Sequence, residues 1–444
     1  MSKPLRNLSI KNVPTTDLRP YSRNPRTHSD KQLRQIVDSI RSFGWTNPIL
    51  IDGDGMVIAG HGRLEAAKLM GLETVPTIRI EDMTDAEKRA YVIADNRLAE
   101  NAGWDSELLA LELKDLVGLE MDITLTGFEM GEVDVLIQDL EAGDDADTDE
   151  EVPPMDLNRP AVSRPGQLWR LGPHRLICGD ALDDQTYVRL LNGEKAQMIF
   201  ADPPYNVRID GNVCGLGTVK HPDFAMASGE MSEAEYTAFL KDALGNLSRH
   251  SIDGSVHFIS MDWRHFYELL SAGREVYAEL KNLCVWNKSN AGMGSLYRSQ
   301  HELIAVFKSG KAPHINNVQL GAQGRNRTNV WDYPGINSFG SNRDEELAVH
   351  PTVKPLAMVA DAILDCSTRG ALILDGFLGS GTTILAAERV GRRAAGVELE
   401  PRYVDAAIRR FQSATGIDAI DAESGRTFAE YESMVLALEG EDNG

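Results

Sequence analysis

The chain has 444 residues, of which 42% are hydrophobic and 25% charged, a composition typical of a globular protein large enough for two domains. Its formal net charge of −22 argues against indiscriminate nucleic-acid binding, because phosphate contacts need local positive charge. No apolar run approaches the roughly 20 residues that span a bilayer, and the first residues contain no signal-peptide core. We therefore expect a cytoplasmic protein without a membrane partner.

The N-terminal part predicts a small mixed α/β domain, which we place at 1–104. Apolar residues recur on one helical face, Gly44 follows as a stop signal, and turn residues separate two short apolar runs. The predicted elements are helices over 30–43, over 63–70 and from 84 to about 100, and strands over 48–52 and 56–60. A helical extension is expected over 105–140, in which we recognise no helix-turn-helix that would read DNA.

An acidic and proline-rich segment over 141–163 is the best candidate for a linker, because it holds few apolar residues. The sequence from 164 to 420 then alternates strand and helix signals and predicts a second domain, followed by a C-terminal tail over 421–444. Strands are predicted at 196–201, 371–377 and 393–399, and helices over 382–390 and from 401. Such alternation implies an α/β domain with a parallel sheet covered on both faces.

The four cysteines (178, 214, 284 and 366) are scattered, without a CxxC pair and without histidine at metal-ligand spacing. We interpret them as buried free thiols and expect no metal site. None of them follows a proline, as the nucleophilic cysteine of enzymes that methylate carbon 5 of cytosine usually does, so covalent carbon methylation is disfavoured.

A glycine-rich loop, Asp-Gly-Phe-Leu-Gly-Ser-Gly-Thr-Thr over 375–383, leaves a predicted strand and enters a predicted helix. A phosphate-binding P-loop would need Lys where Thr382 stands, and a dinucleotide fingerprint would need a third glycine near Ile384. A dehydrogenase is therefore disfavoured. The next strand ends at Glu398, near the offset of about 20 residues at which an acid binds ribose hydroxyls. Together these features suit a nucleoside whose tail is not a phosphate, such as S-adenosyl-L-methionine.

A second motif, Asp202-Pro203-Pro204-Tyr205, directly follows the predicted strand 196–201. The prolines fix the backbone and remove its N–H donors, and a carboxylate and a proline carbonyl are both acceptors for the two hydrogens of an exocyclic amine. Holding both hydrogens directs the nitrogen lone pair at an electrophilic methyl group, while the tyrosine ring offers a surface on which an extruded base can stack. The motif predicts transfer of a methyl group to an amine.

These two motifs together resemble the DNA amino-methyltransferases that modify adenine-N6 or cytosine-N4. The amine-binding motif precedes the cofactor loop, and His-Pro-Thr-Val-Lys-Pro over 350–355 comes shortly before that loop, as in the circularly permuted beta class. The resemblance implies a Rossmann-like S-adenosylmethionine-dependent methyltransferase fold with permuted motif order. It also implies a target-recognition region between the motifs, about 281–343, and action on double-stranded DNA by base flipping.

Residue by residue, the resemblance implies roles at the matching positions. Cofactor contacts are implied for Asp180, Thr352, Lys354, Phe377, Gly379, Gly381, Thr382 and Glu398. The target amine would be held by Asp202, Pro203, Pro204 and Tyr205. Aspartate as the first residue of the motif favours DNA over protein as substrate, and cytosine-modifying relatives more often begin with Ser. Adenine is therefore favoured, and cytosine-N4 stays open because both amines fit the same acceptors.

Residues 281–343 contain eight basic and two acidic residues, a net charge of +6 in an otherwise acidic protein. This stretch is the candidate DNA face, with Lys288, Arg298, Arg325 and Arg327 as predicted contacts. The alternative is an ordinary solvated surface, because charge runs often have no other role.

The N-terminal domain resembles the ParB/sulfiredoxin-like fold of chromosome-partition proteins, through Asn-Pro-Arg at 24–26 and Ala-Gly-His-Gly-Arg-Leu-Glu-Ala-Ala at 59–67. The resemblance implies a nucleotide ligand, although His61 and Gly62 replace the usual middle pair of the second box. A homodimer is also suggested by family resemblance. The whole chain resembles ParB-domain DNA modification methylases. A competing interpretation is a ParB-like binding protein whose methyltransferase domain is not catalytic.

Overall fold

The computed structural model describes residues 8–119, 121–142, 159–207, 229–289, 296–318, 325, 327–334 and 353–442. The chain divides into two compact units, 1–144 and 145–444. Within the described ranges, no helix is both long enough and apolar enough to cross a membrane.

The first unit is a mixed α/β domain built on a small sheet. Its helices and strands are β1 (Ile10–Pro14), α1 (Asp30–Phe43), β2 (Ile49–Ile51), β3 (Val57–Ala59), α2 (His61–Leu69), β4 (Thr74–Arg79), α3 (Asp85–Glu100), α4 (Ser106–Gly118) and α5 (Met130–Ala142). The strands lie in the order β1-β4-β2-β3. Thr84 caps α3 in a reciprocal capping box with Glu87, as their spacing predicts. The predicted helices and strands of this part are confirmed, with ends that differ by one or two residues.

The helical extension is two helices rather than one continuous stretch. A short 3-10 turn, Ile123–Thr126, separates α4 from α5. The two helices pack around Leu113, Ile123, Val133 and Ile137, all of which are buried. This small separate core gives α4 and α5 a fixed arrangement.

The second unit contains the larger sheet. Its elements are β5 (Leu168–Leu171), β6 (His174–Cys178), α6 (Asp184–Leu191), β7 (Ala196–Ala201), α7 (Glu233–Arg249), β8 (Ser251–Met261), α8 (Phe266–Val276), β9 (Glu279–Asn287), β10 (His301–Lys308), β11 (Val330–Asp332), α9 (Leu356–Cys366), β12 (Leu372–Asp375), α10 (Thr382–Arg389), β13 (Arg393–Glu398), α11 (Pro401–Thr415), β14 (Ala419–Asp421) and α12 (Phe428–Asp442).

In the described part of this unit the strands form a ten-stranded sheet in the order β11-β9-β10-β8-β7-β12-β13-β6-β5-β14. The central strands β8, β7, β12, β13 and β6 are parallel, whereas β10 runs antiparallel to both β8 and β9. Strand β7 pairs directly with β12, although β12 comes much later in the chain. The Rossmann-like α/β fold with permuted motif order is therefore confirmed.

Strand β7 shows why this sheet is buried on both faces. Met198 and Phe200 contribute to the hydrophobic core on one side of the sheet, and Ile199 and Ala201 to the core on the other. The parallel strands all end at the same edge, so the loops after β7, β12 and β13 meet there. Because β10 is antiparallel, its first residues also lie at that edge.

The last residues of the predicted linker and the described part of the predicted tail pack against the second unit. The buried backbone N–H groups of Val162 and Ser163 donate to the Asp405 carboxylate at 2.7 and 2.9 Å. Phe428, in the predicted tail, is buried and its ring lies 5.5 Å from that of Trp169. Both predictions are corrected because aromatic and carboxylate contacts hold these ends against the domain. Residues 143–158 of the predicted linker lie outside the described residues.

The cysteine prediction is confirmed in part. Cys178 and Cys284 are buried free thiols, and burial raises the pKa of each to about 12. Cys366 is also a free thiol but is not fully buried, and Cys214 lies outside the described residues. Thiols with pKa values this high are poor nucleophiles at neutral pH.

Candidate active site

A cavity at the carboxyl edge of the large sheet is lined by the loops that follow β7, β12 and β13. It brings together most of the residues that the sequence predicted for the amine and the cofactor. Those that line it are Asp202, Pro203, Pro204, Tyr205, Lys354, Phe377, Gly379, Thr382 and Glu398. Of the other predicted residues, Asp180 and Gly381 lie outside this lining, and Thr352 lies outside the described residues.

The loop after β7 is fixed by side chains that the sequence analysis did not single out. The buried Tyr236 of α7 donates its hydroxyl to the Pro204 carbonyl at 2.7 Å. Asn206 adopts a left-handed conformation with φ of 54°, and its buried side-chain amide bonds the backbone of Gly229 and Met231. The rigid loop therefore depends on α7 and on the segment before it, as well as on its two prolines.

Asp202 is the electrostatic centre of the amine-binding loop. Its Oδ2 accepts from the Lys354 Nζ at 2.5 Å, and its Oδ1 accepts from the Tyr205 hydroxyl at 2.5 Å. Burial raises the pKa of Asp202, and the Lys354 ammonium opposes this shift. Burial likewise raises the pKa of Tyr205 well above its ordinary value, so this hydroxyl stays protonated as a donor.

A second carboxylate, Glu302 at the start of β10, completes this cluster. Its Oε2 lies 3.1 Å from the Lys354 Nζ and 3.2 Å from the Tyr205 hydroxyl oxygen, while its Oε1 pairs with Lys288. Burial alone would raise the pKa of Glu302, but the two lysines lower it to about 2. Asp202, Glu302, Lys354 and Lys288 thus form a charge-balanced group beside the cavity, in which Glu302 and Lys354 are buried and the other two partly buried.

The tyrosine ring of this loop is engaged on one side. The Lys354 ammonium lies 5.4 Å from the centroid of the Tyr205 ring. An extruded base would therefore have to stack on the other face of the Tyr205 ring, or the Lys354 side chain would have to move.

The cofactor side of the cavity is organised by Glu398 at the end of β13. Its Oε2 accepts from the Gly379 N–H at 2.8 Å and its Oε1 from the Glu400 N–H at 2.9 Å. A carboxylate has about four acceptor positions, so these two bonds leave room for two hydroxyl donors. Burial raises the pKa of Glu398 to about 7. The remaining acceptor positions of this carboxylate fit the ribose hydroxyls of S-adenosyl-L-methionine.

Asp375 and Thr383 fix the glycine-rich loop through hydrogen bonds. The Asp375 carboxylate accepts from the Thr383 hydroxyl at 2.6 Å and from the Phe377 N–H at 2.9 Å. Burial raises the pKa of Asp375 to about 7. The backbone of Phe377 is thereby fixed where its side chain lines the cavity.

Gly381 and Thr382 take part in packing within the domain. A Cβ atom at Gly381, whose φ is 88°, would lie 2.9 Å from the Cβ of Ala407 in α11. The Thr382 hydroxyl accepts from the buried guanidinium of Arg410 at 2.9 Å. Close approach of α11, rather than of a ligand, accounts for the glycine at 381.

Asp180 lies in the loop after β6, beside the cavity. Its carboxylate accepts from the Leu182 N–H at 2.8 Å, while the preceding Gly179 lines the cavity and donates its N–H to the Glu398 carbonyl at 2.9 Å. The described structure therefore places the backbone at 179, and not the Asp180 side chain, along the cavity wall.

The predicted DNA face is corrected at Arg325 and Arg327. Their side chains are only 9% and 16% exposed, and both guanidinium groups pair with Asp361 and Asp365 of α9. Groups that are buried in ion pairs are not available for phosphate contacts. By contrast, Arg298 is exposed in the connection between β9 and β10, whereas Lys288 pairs with Glu302. Strands β9, β10 and β11 of this region belong to the sheet.

Within the described residues, no cluster of three or more His, Cys, Asp or Glu side chains is placed to hold a metal ion.

Three stretches of this chain match known protein families. Residues 1–97 match the ParB N-terminal domain, 107–165 the ParB-methyltransferase HTH domain and 196–409 a DNA methylase family of N6 and N4 enzymes. An 82-residue stretch is 49% identical to the ParB-like nuclease domain-containing protein YnaK of Escherichia coli (strain K12). It covers 18% of this chain and 94% of that protein. The chain belongs to the ParB-like family and carries an N6/N4 DNA methylase domain.

The match at 107–165 overturns one expectation from the sequence. We recognised no helix-turn-helix there from the sequence, and the structure shows two helices, α4 and α5, joined through a 3-10 turn within this range. The methylase domain is similar to the type II methyltransferase M2.MboI of Moraxella bovis, with 26% identity over 227 residues. That similarity covers 50% of this chain and 82% of the relative.

Solved structures of similar proteins include the M1.HpyAVI–SAM complex, at 19% identity with a TM-score of 0.39, covering 53% of this chain and 97% of that one. Another is the PvuII DNA methyltransferase (cytosine-N4-specific), at 16% identity with a TM-score of 0.42, covering 64% and 97%. The cofactor of the methylase domain is S-adenosyl-L-methionine, and its substrate is DNA.

Proposed function

We propose that this protein is a site-specific methyltransferase that modifies adenine-N6 in double-stranded DNA after flipping the base out of the helix. The observation that carries the proposal is the shared cavity, in which the Asp202–Tyr205 loop faces the loop of Phe377 and Gly379. A methyl group bound at one loop can then reach an amine held at the other. Since the substrate is DNA, the proposal includes a cytoplasmic location.

In this mechanism the chain positions the amine and stabilises the charge that develops on it. Asp202 accepts one amine hydrogen, and we assign the second acceptor to the Pro203 carbonyl, because the Pro204 carbonyl is already bound by Tyr236. Bound S-adenosylmethionine supplies an electrophilic methyl group on its sulfonium. As the amine nitrogen becomes positively charged, the Asp202 carboxylate stabilises it.

The proposal assigns the cofactor to the other half of the cavity. Glu398 would bind the ribose hydroxyls through its remaining acceptor positions, and the Gly179 backbone would lie beside the adenine ring. Phe377 would pack against the nucleoside. Asp180, Gly381 and Thr382 would act by holding these groups in place, since their own side chains or backbone contact the protein.

The first prediction concerns Asp202→Asn, which keeps the size of the side chain and removes its charge. We expect methylation to fall by at least about 100-fold, because removal of one electrostatic stabiliser of a transition state has an effect of this size. Binding of S-adenosylmethionine, measured by calorimetry, should change little. The measurement is transfer of label from labelled cofactor to unmethylated DNA.

The matched control is Asp262→Asn at the end of the neighbouring strand β8, where the carboxylate bonds only Arg264 in the described structure. This variant should methylate at nearly the rate of the unaltered protein. Near-normal turnover by Asp202→Asn would contradict the assignment, and absence of label with the unaltered protein would contradict the proposed function itself. Sequencing the product DNA for modified bases identifies the recognition site and distinguishes adenine-N6 from cytosine-N4.

A second prediction follows from the corrected DNA face. We propose that Arg298 contacts a phosphate. It is exposed, and it lies in the connection between β9 and β10, at the edge of the sheet that carries the active site. Arg298→Ala should weaken DNA binding and lower the slope of log affinity against log salt by about 1. Arg389→Ala is the control, because Arg389 is exposed at the end of α10, at the opposite edge of the sheet. Equal effects of both variants would remove Arg298 from the DNA face.

We further propose a nucleotide ligand for the ParB-like domain. A cavity in this unit is lined by Asn24, Arg26, His28, Gly60 and Arg63, at the N-terminus of α2. Helix N-termini and basic side chains bind phosphate groups, and among the described atoms the buried Arg63 Nε has no hydrogen-bond partner. A rise in melting temperature on adding CTP, lost in Arg63→Ala, would support this ligand. The homodimer suggested by family resemblance stays a prediction.

A further inference from the structure

The inference begins with the occupancy of the Asp202 carboxylate. Each of its oxygens already accepts a short hydrogen bond, one from Tyr205 and one from the Lys354 ammonium, both at 2.5 Å. Two acceptor positions of the carboxylate remain, so a target amine that donates to Asp202 would lie directly beside the Lys354 ammonium or replace it. In the described structure, the Lys354 ammonium contacts Asp202 where the proposed function needs the target amine.

Lys354 is the donor better able to leave. Tyr205 is part of the same rigid loop as Asp202, whereas Lys354 reaches the carboxylate through a flexible four-carbon side chain. An ammonium at this position would also repel the positive charge that develops on the amine nitrogen during methyl transfer. Catalysis therefore requires either a shift of the lysine or a second anion that offsets its charge.

Glu302 is that second anion. Its Oε2 lies 3.1 Å from the Lys354 Nζ, which contacts Asp202 at the same time, and the Glu302 side chain is 9% exposed. A lysine that moves from Asp202 to Glu302 stays paired throughout, which matters because an unpaired buried charge is strongly destabilising. Lys288 pairs with the other oxygen of Glu302 and limits how strongly Glu302 attracts Lys354.

We propose that Lys354 occupies the place of the target amine in the base-free enzyme, and that Glu302 takes over its ammonium when the base enters. Glu302 is then a positioning residue, which acts through Lys354 by releasing Asp202. This inference rests on the proposed function, since it concerns the same amine site. It adds that entry of the base is coupled to movement of the Lys354 ammonium from Asp202 to Glu302, a residue on β10.

The test uses the full-length protein with DNA that carries 2-aminopurine next to the target adenine, which stays intact, once sequencing has identified the site. Fluorescence at saturating DNA reports the fraction of the base that is flipped out. Glu302→Gln keeps the shape of the side chain and removes its charge, so Lys354 should remain on Asp202. We expect the fluorescence gain and the kcat to fall by at least about tenfold, with unchanged affinity for S-adenosylmethionine. The melting temperature should fall because Lys288 loses its partner.

The matched variant is Lys288→Met, which removes the other partner of Glu302 and should shift Lys354 towards it. The fluorescence gain at saturating DNA should then exceed that of the unaltered protein, even if DNA affinity is lower. Opposite shifts in the two variants support the proposal, and this second variant decides the matter if Glu302→Gln does not fold. An unchanged or smaller gain in Lys288→Met would overturn it.

Two further outcomes would also overturn the exchange. Glu302→Gln that flips and methylates like the unaltered protein would show that Glu302 does not release Asp202. A parallel loss of cofactor affinity would show a structural role only. In either case the unaltered protein would still methylate DNA, so failure of this inference differs from failure of the proposed function.

Discussion

Two carboxyl groups that line the cofactor side of the cavity have pKa values near neutrality. Burial raises the pKa of both Glu398 and Asp375 to about 7. Near neutral pH each is thus partly protonated when no ligand is bound. Glu398 faces the ligand, and its ionised form is the better acceptor for hydroxyl groups. Cofactor binding should therefore be linked to its proton.

From this linkage we predict that affinity for S-adenosylmethionine increases as pH rises through about 7. Ribose hydroxyls favour the carboxylate, so binding below this pH must first remove a proton from Glu398. The affinity should fall by up to about tenfold for each pH unit below the pKa. Calorimetric titrations at pH values on either side of the pKa measure this slope.

The control for this prediction is Glu398→Gln, which cannot ionise at this position. Its affinity should be lower at every pH and should lose the dependence. A slope that persists in Glu398→Gln would belong to Asp375 or to another group, and the assignment of the ribose contact to Glu398 would then be wrong.

Among the secondary-structure elements, α9 has the clearest structural role outside the cavity. Its Asp361 and Asp365 hold Arg325 and Arg327, and the Arg327 guanidinium also donates to the Tyr333 hydroxyl at 2.7 Å. Burial raises the pKa of Asp365 to about 6, although both arginines oppose the shift. The network ties the segment before β11 to the helix that precedes the cofactor loop.

We therefore predict that Arg325→Met reduces stability rather than DNA affinity. Removing one partner of a buried ion pair leaves an uncompensated charge, which costs about 3–5 kcal/mol. Urea denaturation followed by circular dichroism measures this change, with the exposed Arg298→Ala as a control that should unfold normally. A stable Arg325→Met protein with weakened DNA binding would return this arginine to the DNA face.

The sequence was sufficient for those features that depend on local pattern. Strand β7 and helix α1 follow from apolar periodicity, and the amine and cofactor motifs follow from their residue types at strand ends. Glu302 was missed because it begins a strand, and only the antiparallel direction of β10 places a strand start beside Asp202. Arg325 was misassigned because charge alone does not reveal a partner that lies 40 residues away.

Across the chain, apolar residues form separate cores in the two compact units. The first unit has small clusters around Ile51 and Leu113, and the second has two large clusters, one on each face of its sheet. A protein with independent cores need not unfold in one step. The ligands of the two units should therefore stabilise different parts of the chain.

We predict two calorimetric transitions, of which S-adenosylmethionine raises only the one that belongs to the methylase domain. At a cofactor concentration about 100 times Kd, the stabilisation should be about 2.7 kcal/mol. The variant Glu398→Gln should reduce this shift and leave the other transition unchanged. A single transition that moves as a whole with cofactor would show that the two units unfold together.

The close packing of Gly381 against Ala407 affects how quickly the cofactor pocket is ready for the next reaction. Because Gly381 has no side chain, the start of α10 packs closely against α11, and a Cβ at 381 would lie only 2.9 Å from the Ala407 Cβ. The entropy of ordering this wall is thus lost during folding and not again at each turnover. A preorganised wall of this kind allows the spent cofactor to be exchanged without rebuilding the pocket.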